Sequence, residues 1–454
     1  MWNTVTMLTK VLYKKEKLKI AVIGTGIAGL SAAWLLNKRH EVVIYEKRSW
    51  VGGHANTFVA SIDGSNIPVD TGFIVYNEPN YPNLTALFKH LNVLSQPSEM
   101  SFAASLQDGL LEYSGSNLNG FFGQRKNLIK RRFWQMAIDL LKFYREAPLL
   151  LSNPHSANLS IGEYLVQNKY GDAFINDHLF PMGSAIWSTA PEQICDYPAE
   201  AFIKFMQSHG LLSLTNRPQW KTVAGGSQQY VKVISEAFFD KIRFVGVKLI
   251  CRFPDKVTVT DTDGNIENFD HVVVATHADE AYKLLQDPDQ QEQLLLGKWQ
   301  YSKNRAVLHT DSSFMPKRRR VWSSWNFINR KFNDDKKICV TYWMNRLQNL
   351  KTHQPLFVSL NPFDGLSPDS IICEFDYTHP YFDTDALLNQ PKLWSLQGQQ
   401  RTWYCGSYFG FGFHEDALQA GLAVAEQLGG MMRPWSLANK NSRISVTPTS
   451  MVAA

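Results

Sequence analysis

Gly24, Gly26 and Gly29, in the run Gly24-Thr25-Gly26-Ile27-Ala28-Gly29, have the spacing that holds a pyrophosphate. The first glycine permits a tight turn. The second lets backbone approach the phosphates, and the third lets a helix pack on a strand. The N–H groups of the helix start, at Ile27 and Ala28, and the helix dipole favour phosphate charge. Glu46 stands 17 residues beyond Gly29. A carboxylate there accepts hydrogen bonds from both ribose hydroxyls of an adenosine and repels a 2′-phosphate, which disfavours NADP.

The elements that must position these residues are legible around them. Apolar residues predict a buried strand over 19–23, a helix over 28–37 and a second strand over 41–45 that ends beside Glu46. This is a β-turn-α-β unit. Residues 80–220 differ, with amphipathic helices over 133–144 and 161–167 and an irregular polar stretch at 114–119. Strand character returns over 241–252, 257–261 and 271–275, with the turn Asp263-Gly264-Asn265 between the last two. A short strand at 402–405 and a helix over 416–428 come last, before a polar tail expected to fray.

Two further segments extend the glycine turn: Val51-Gly52-Gly53-His54, and Val69-Asp70-Thr71-Gly72 followed by Phe73. A nicotinamide dehydrogenase has no need of a second glycine pair. The combination resembles the flavin-containing amine oxidase, phytoene desaturase and protoporphyrinogen oxidase superfamily. Pro181–Thr189, Trp322–Asn326 and Gly412–Asp416 are most similar to its bacterial branch of predicted NAD/FAD-binding oxidoreductases. The resemblance implies FAD. It places Gly52 and Gly53 beside the pyrophosphate, with Lys47 and Arg48 as the basic residues near it. Val247 lies on the strand that meets adenine. Ala275 and Thr276 end the strand that closes the nucleotide domain. Gly406, Ser407, Glu415, Asp416 and Ala417 match the final flavin segment, where a helix N-terminus would stabilise the anionic reduced flavin. Ser407 replaces a frequent aspartate, and His54 replaces a frequent arginine. No cysteine matches a covalent flavin attachment, so the FAD is expected to be non-covalent.

The implied fold is α/β. A Rossmann-like FAD-binding domain of the glutathione-reductase type, over 18–78, 220–282 and 399–432, carries an inserted α+β substrate domain over 79–219 and 283–398. The polar tail is 433–454.

Flavin chemistry needs a positioned substrate, and three residues are candidates to assist it. Lys303 lies near where amine oxidases place a lysine. Tyr408 sits in the loop closest to the flavin, with Phe409 and Phe411. His414 has an ordinary pKa near neutrality and could shuttle a proton or cap the following helix. Trp187, Ser188, Trp322, Ser324 and Trp325 are candidate pocket residues.

Composition leaves the substrate open. A net charge of +5 over 454 residues is too mild for nucleic-acid binding. Basic clusters at Lys14–Lys19, Arg125–Arg132 and Lys317–Arg320 would suit either solvent or anionic lipid headgroups. Five scattered cysteines without CxxC spacing argue against disulfides and zinc. No signal peptide and no membrane-spanning helix are expected, because the start lacks an apolar core with a small-residue cleavage site and no apolar run approaches about 18 residues. The expected location is cytoplasmic, or peripheral at the inner membrane face. Three readings stand: an oxidoreductase acting on an apolar acyl or isoprenoid lipid, a soluble amine oxidase releasing hydrogen peroxide, and a low-turnover flavin-binding partner in a complex.

Overall fold

The computed structural model describes residues 17–152, 159–187, 191–332 and 335–447. Lys14, Lys15, Ser188 and Thr189 fall outside that set.

Strands Lys19–Ile23 and Glu41–Tyr45 are runs of β-branched and aromatic residues buried on both faces. Such strands belong at the centre of a parallel sheet. They pair in parallel with each other, and Lys19–Ile23 also pairs with His271–Val274, which in turn pairs with Thr402–Tyr404. Ile242–Arg243 closes the other edge of this five-stranded sheet. Three distant pieces of chain thus build one sheet. Ile23 lies level with both Tyr45 and Val274, and Val274 with Tyr404. The carboxyl ends of the strands therefore share one edge, where open α/β sheets bind ligands.

Helix Ile27–Leu36 is buried at all its positions, including Ser31. It packs against helix His414–Gln427. There a β-carbon on Gly421 would lie 2.1 Å from the Ala28 carbonyl oxygen, so only glycine allows this crossing.

The expected strand over 241–252 is two strands. Ile242–Arg243 joins the parallel sheet, and Val247–Arg252 joins an antiparallel sheet with Val257–Asp261 and Ile266–Phe269. The chain changes sheets at Gly246, where a β-carbon would meet Thr262 at 3.0 Å and Lys47 at 3.5 Å. The turn Asp263–Asn265 forms, held by Asp261 Oδ1 accepting from the amides of Asp263 (3.0 Å) and Asn265 (2.8 Å). It leads into Ile266–Phe269 and not directly to His271. That four-residue strand has two polar central residues and too little apolar alternation to be read from sequence.

A seven-stranded sheet makes the second body, in the order Ile371–Tyr381, Gln300–His309, Phe357–Leu360, Asp335–Trp343, Trp325–Phe332, Phe102–Leu106, Leu111–Ser114. Helices from 118 to 208 cover part of it. Helix Arg131–Leu150 buries Phe133, Met136, Leu140, Phe143 and Ala147 along one stripe.

The tail expected to fray is held at least to residue 447. Arg433 is buried and pairs with Glu426 at 2.8 Å. Arg443 pairs with the fully buried Asp416 at 2.6 Å. Two arginines neutralising buried carboxylates fasten a segment whose own composition is polar.

Candidate active site

The glycine turn sits at the carboxyl edge of the parallel sheet, with the Gly24 amide donating to Tyr45 O at 2.8 Å. Gly24 has φ +101°, and a β-carbon there would lie 2.9 Å from Ala275 O. A β-carbon on Gly29 would lie 1.9 Å from Gly24 O, so this glycine is required by helix–strand packing. Gly26 is different. Its φ is −61°, and a β-carbon would meet nothing within 4 Å. Neither strain nor packing within the chain calls for glycine there. The space fits a group that the chain does not supply, as the pyrophosphate reading requires. Helix Ile27–Leu36 has no side-chain cap, so its first amides face that space without one.

The second glycine pair lies against the first. The Gly52 amide donates to Thr25 O at 3.1 Å. A β-carbon on Gly53 would come within 3.1 Å of the Gly26 Cα.

Glu46 is buried, and its carboxylate is largely engaged. One oxygen accepts from the Thr25 amide (3.0 Å) and the Thr25 hydroxyl, the other from the Arg48 amide (2.9 Å). A carboxylate offers about four acceptor directions, so about one remains for a ribose hydroxyl. Thr25, overlooked in sequence, orients this acid from inside the glycine turn. The basic neighbours point elsewhere: Lys47 pairs with Glu280 at 2.6 Å, and Arg48 donates to Asp376 O at 3.1 Å. Val247 begins its strand just beyond Gly246, which lies beside Lys47.

Residues 70–73 form the next layer. A β-carbon on Gly72 would lie 2.3 Å from His54 O, and Phe73 donates its amide to the same oxygen at 2.7 Å. Thr71 bonds Tyr377 Oη at 2.9 Å. The His54 ring stacks on Tyr377 with centroids 4.8 Å apart, and its buried Nε2 has no hydrogen-bond partner among the described residues. Asp70 is buried and accepts from Thr57, from Ser227 and from Gln348. Burial pushes its carboxyl up to about 6.

At the third segment, Gly406 approaches Thr276 O, which lies 3.3 Å from where its β-carbon would be. Ser407 makes no side-chain hydrogen bond among the described residues, which leaves its hydroxyl free for a ribityl chain. Glu415 and Asp416 are committed to the fold. Glu415 accepts from the amides of Asn83 (3.0 Å) and Leu84 (2.9 Å), capping helix Pro82–His90. Asp416 caps its own helix through the Phe413 amide at 2.7 Å and neutralises Arg443. Ala417 sits in the first turn of that helix.

A cavity of about 860 Å³ runs from Thr71, Gly72, Phe73, Tyr377, His379 and His414 to the exposed side chains Leu118, Trp134, Leu141 and Leu214. Among the described residues its walls contain no aspartate, glutamate or lysine, and Arg217 is their one full-time cation. Burial pushes the wall imidazoles down, His178 and His379 to about 4 and His209 and His414 to about 3, so all four are neutral near pH 7. His178 comes from a π-helical turn, Ile175–Leu179, which no local pattern announced. At Arg217 the cavity adjoins a smaller polar hollow lined by Ser101, Ser116, Asn117, Glu99 and Arg346.

The three catalytic candidates are not brought together. His414 lines the cavity, stacked on Phe73 at 3.9 Å with Nε2 2.6 Å from Tyr230 Oη. Its expected titration near neutrality is corrected: desolvation holds it neutral. Tyr408 is buried against Trp299 and Phe409 and lies outside the cavity wall, and its hydroxyl has no partner among the described residues. Lys303 is exposed on strand Gln300–His309, also outside the wall. Trp187, Trp325 and Phe411 line the cavity, whereas Phe409 does not. Trp322 and Ser324 do not line it either, and bond Pro316 O and Glu99 O instead. Tyr377, His379 and Arg217 are among the wall residues that sequence reading missed.

This fold, with its paired glycine turns, defines a dinucleotide-binding flavoprotein. The chain matches the flavin containing amine oxidoreductases over residues 27–369 and belongs to that family, with FAD as its cofactor. Zeta-carotene desaturase of Arabidopsis thaliana is 52% identical over 48 residues, which is 10% of this chain and 9% of that protein. The enzyme of Zea mays is 41% identical over 78 residues, 17% of this chain and 13% of that protein. The matched segments thus span about a tenth of these curated relatives. Among solved structures, putrescine oxidase bound to putrescine superposes with a TM-score of 0.64 at 15% identity, over 91% of this chain and 99% of that one. A CLA-producing fatty acid isomerase from P. acnes superposes with a TM-score of 0.63 at 16% identity, over 92% and 99%.

Proposed function

We propose that this protein is an FAD-dependent oxidoreductase that moves a hydride from, or to, an apolar acyl- or isoprenoid-type chain. The observation that carries this reading is the cavity wall. It is aromatic and aliphatic, its imidazoles are neutral, and its described residues include no carboxylate to pair with an ammonium group. A buried cation without a counter-ion is costly, whereas an apolar chain gains from every wall contact. Arg217, at the polar end, suits an anionic or strongly polar head.

Bound FAD supplies hydride exchange. Gly26, Gly53 and the first amides of helix Ile27–Leu36 would hold its pyrophosphate, Glu46 its ribose, and Ser407 its ribityl chain. Phe73, Tyr377 and the neutral His379 and His414 shape the inner end of the cavity and exclude water. The Tyr230–His414 hydrogen bond fixes the imidazole, and burial keeps that ring neutral. The desaturase and fatty-acid names among the relatives support an apolar substrate, and putrescine oxidase supports an amine.

The test is to incubate the FAD-loaded protein, once oxidised in air and once reduced with dithionite, with unsaturated fatty acids, isoprenoid hydrocarbons and primary amines, and to weigh the products. Loss or gain of two hydrogens on a lipid, with about a tenfold higher KM in Arg217→Gln for a carboxylate-headed one, is expected. Amine turnover with hydrogen peroxide and no lipid product would reverse the assignment.

A further inference from the structure

Helix Arg131–Leu150 has a second apolar face. Opposite its buried stripe it presents Trp134, Ile138, Leu141 and Leu149 to solvent, with Ile138 63% exposed. An ordinary surface helix is polar on that side. The turns before it continue the pattern, with Leu118 77% and Ile129 89% exposed. This is a contiguous stretch of chain and not a scatter of single residues.

The charge of the same stretch is one-sided. Residues 113–138 contain Arg125, Lys126, Lys130, Arg131 and Arg132 and no acid. Arg132 pairs with Asp177. Arg125 and Lys130 donate to neutral oxygens of Phe122, Asn119 and Leu110, and Lys126 and Arg131 make no ion pair among the described residues. In the cluster at 317–320, Lys317 pairs with Asp108 and Arg318 with the buried Glu112, while Arg319 and Arg320 make no ion pair among the described residues. Arg320 packs against Gly123, so the unpaired charges of both clusters lie near the exposed apolar residues.

We infer that this face docks on a lipid bilayer carrying anionic headgroups. Apolar side chains that enter the acyl boundary, a tryptophan at the interface and flanking cations are the combination that holds a helix in the plane of such a surface. Leu118, Trp134 and Leu141 belong to both the exposed face and the cavity wall. Docking would therefore place the cavity mouth on the membrane, and a lipid chain would pass from bilayer to cavity without crossing water. That consequence rests on the proposed substrate; the docking itself does not. Among the described residues no helix is long and apolar enough to cross a membrane, so the contact is peripheral.

Co-sedimentation of the FAD-loaded full chain with vesicles tests this. Phosphatidylcholine vesicles with added phosphatidylglycerol should bind it about tenfold more tightly than phosphatidylcholine alone, and salt should weaken that binding. The double variant Ile129→Glu/Ile138→Glu should lose binding by at least about tenfold while its flavin content and thermal melting stay unchanged. Lys126→Glu/Arg131→Glu should lose only the phosphatidylglycerol preference. No binding by the parent chain, or undiminished binding by Ile129→Glu/Ile138→Glu, overturns the inference. So does a parent dimer that this variant turns into a monomer with vesicle binding unchanged, which assigns the face to a second copy of the chain. Turnover is not read in this assay, so the substrate assignment can fail while the docking face stands.

Discussion

Gly53 lies against Gly26, so close that a β-carbon on Gly53 would come within 3.1 Å of the Gly26 Cα. The two glycine pairs therefore form one surface, and Gly26 itself is open on its other side. Gly26→Val is expected to abolish FAD retention while leaving the melting temperature of the flavin-free protein nearly unchanged. Gly29→Ala makes the contrast, since its β-carbon would collide with Gly24 O and should destabilise by several kcal/mol. Flavin absorbance after gel filtration, with thermal melts of both variants, reads the difference. Full flavin content in Gly26→Val would refute the phosphate placement.

Glu46→Ala removes the acceptor at the ribose end and also frees Thr25. Loss of about 1–3 kcal/mol in FAD affinity is expected, the range for charged hydrogen bonds. Thr25→Val should give a smaller loss, because it removes only one of the bonds that orient the carboxylate. A titration of flavin fluorescence checks both.

Arg443→Ala leaves the fully buried Asp416 without its cation. Such an uncompensated charge costs about 3–5 kcal/mol. A frayed tail would give a change within about 0.5 kcal/mol, so a urea melt separates the two cases.

Acid should destabilise the protein. His178, His379 and His309 are held at about 4 and His209 and His414 at about 3, below the ordinary 6.5. Each contributes stability that is complete above about 6.5 and lost as pH falls through its folded value. Asp70 and Asp416, raised by burial from 3.8 to about 6, act in the opposite sense. Their contribution is complete below 3.8 and lost as pH rises through about 6. Each pKa unit is worth about 1.4 kcal/mol. Five imidazoles outweigh two carboxylates, so the melting temperature should drop between about pH 7 and pH 4. A rise over that interval would contradict the burial of these rings.

The features legible in sequence were local ones. Gly24, Gly26, Gly29 and Glu46 declare themselves by spacing within one β-α-β unit, and strand ends such as Ile23 and Tyr45 follow from short apolar runs. The division at Gly246 was hidden because apolar residues continue through it while the chain changes sheets. The roles of Glu415 and Asp416 were hidden for a different reason. Their partners, Asn83, Leu84 and Arg443, are brought to them only by the tertiary fold. His414 was misjudged on its ordinary pKa, since no local signal states that Phe73 and Tyr230 will bury it. The cavity wall has the same character: Tyr377, Trp134 and Arg217 meet only after strands and helices from three regions are assembled.

The central claim is that an apolar chain, and not an amine, exchanges hydride in this cavity. Anaerobic titration of the FAD-loaded protein addresses it most directly. An acyl or isoprenoid lipid is expected either to bleach the visible absorbance of the oxidised flavin or to restore that of the chemically reduced flavin, and putrescine to do neither. Bleaching by the amine alone, followed by hydrogen peroxide on admission of air, would contradict it.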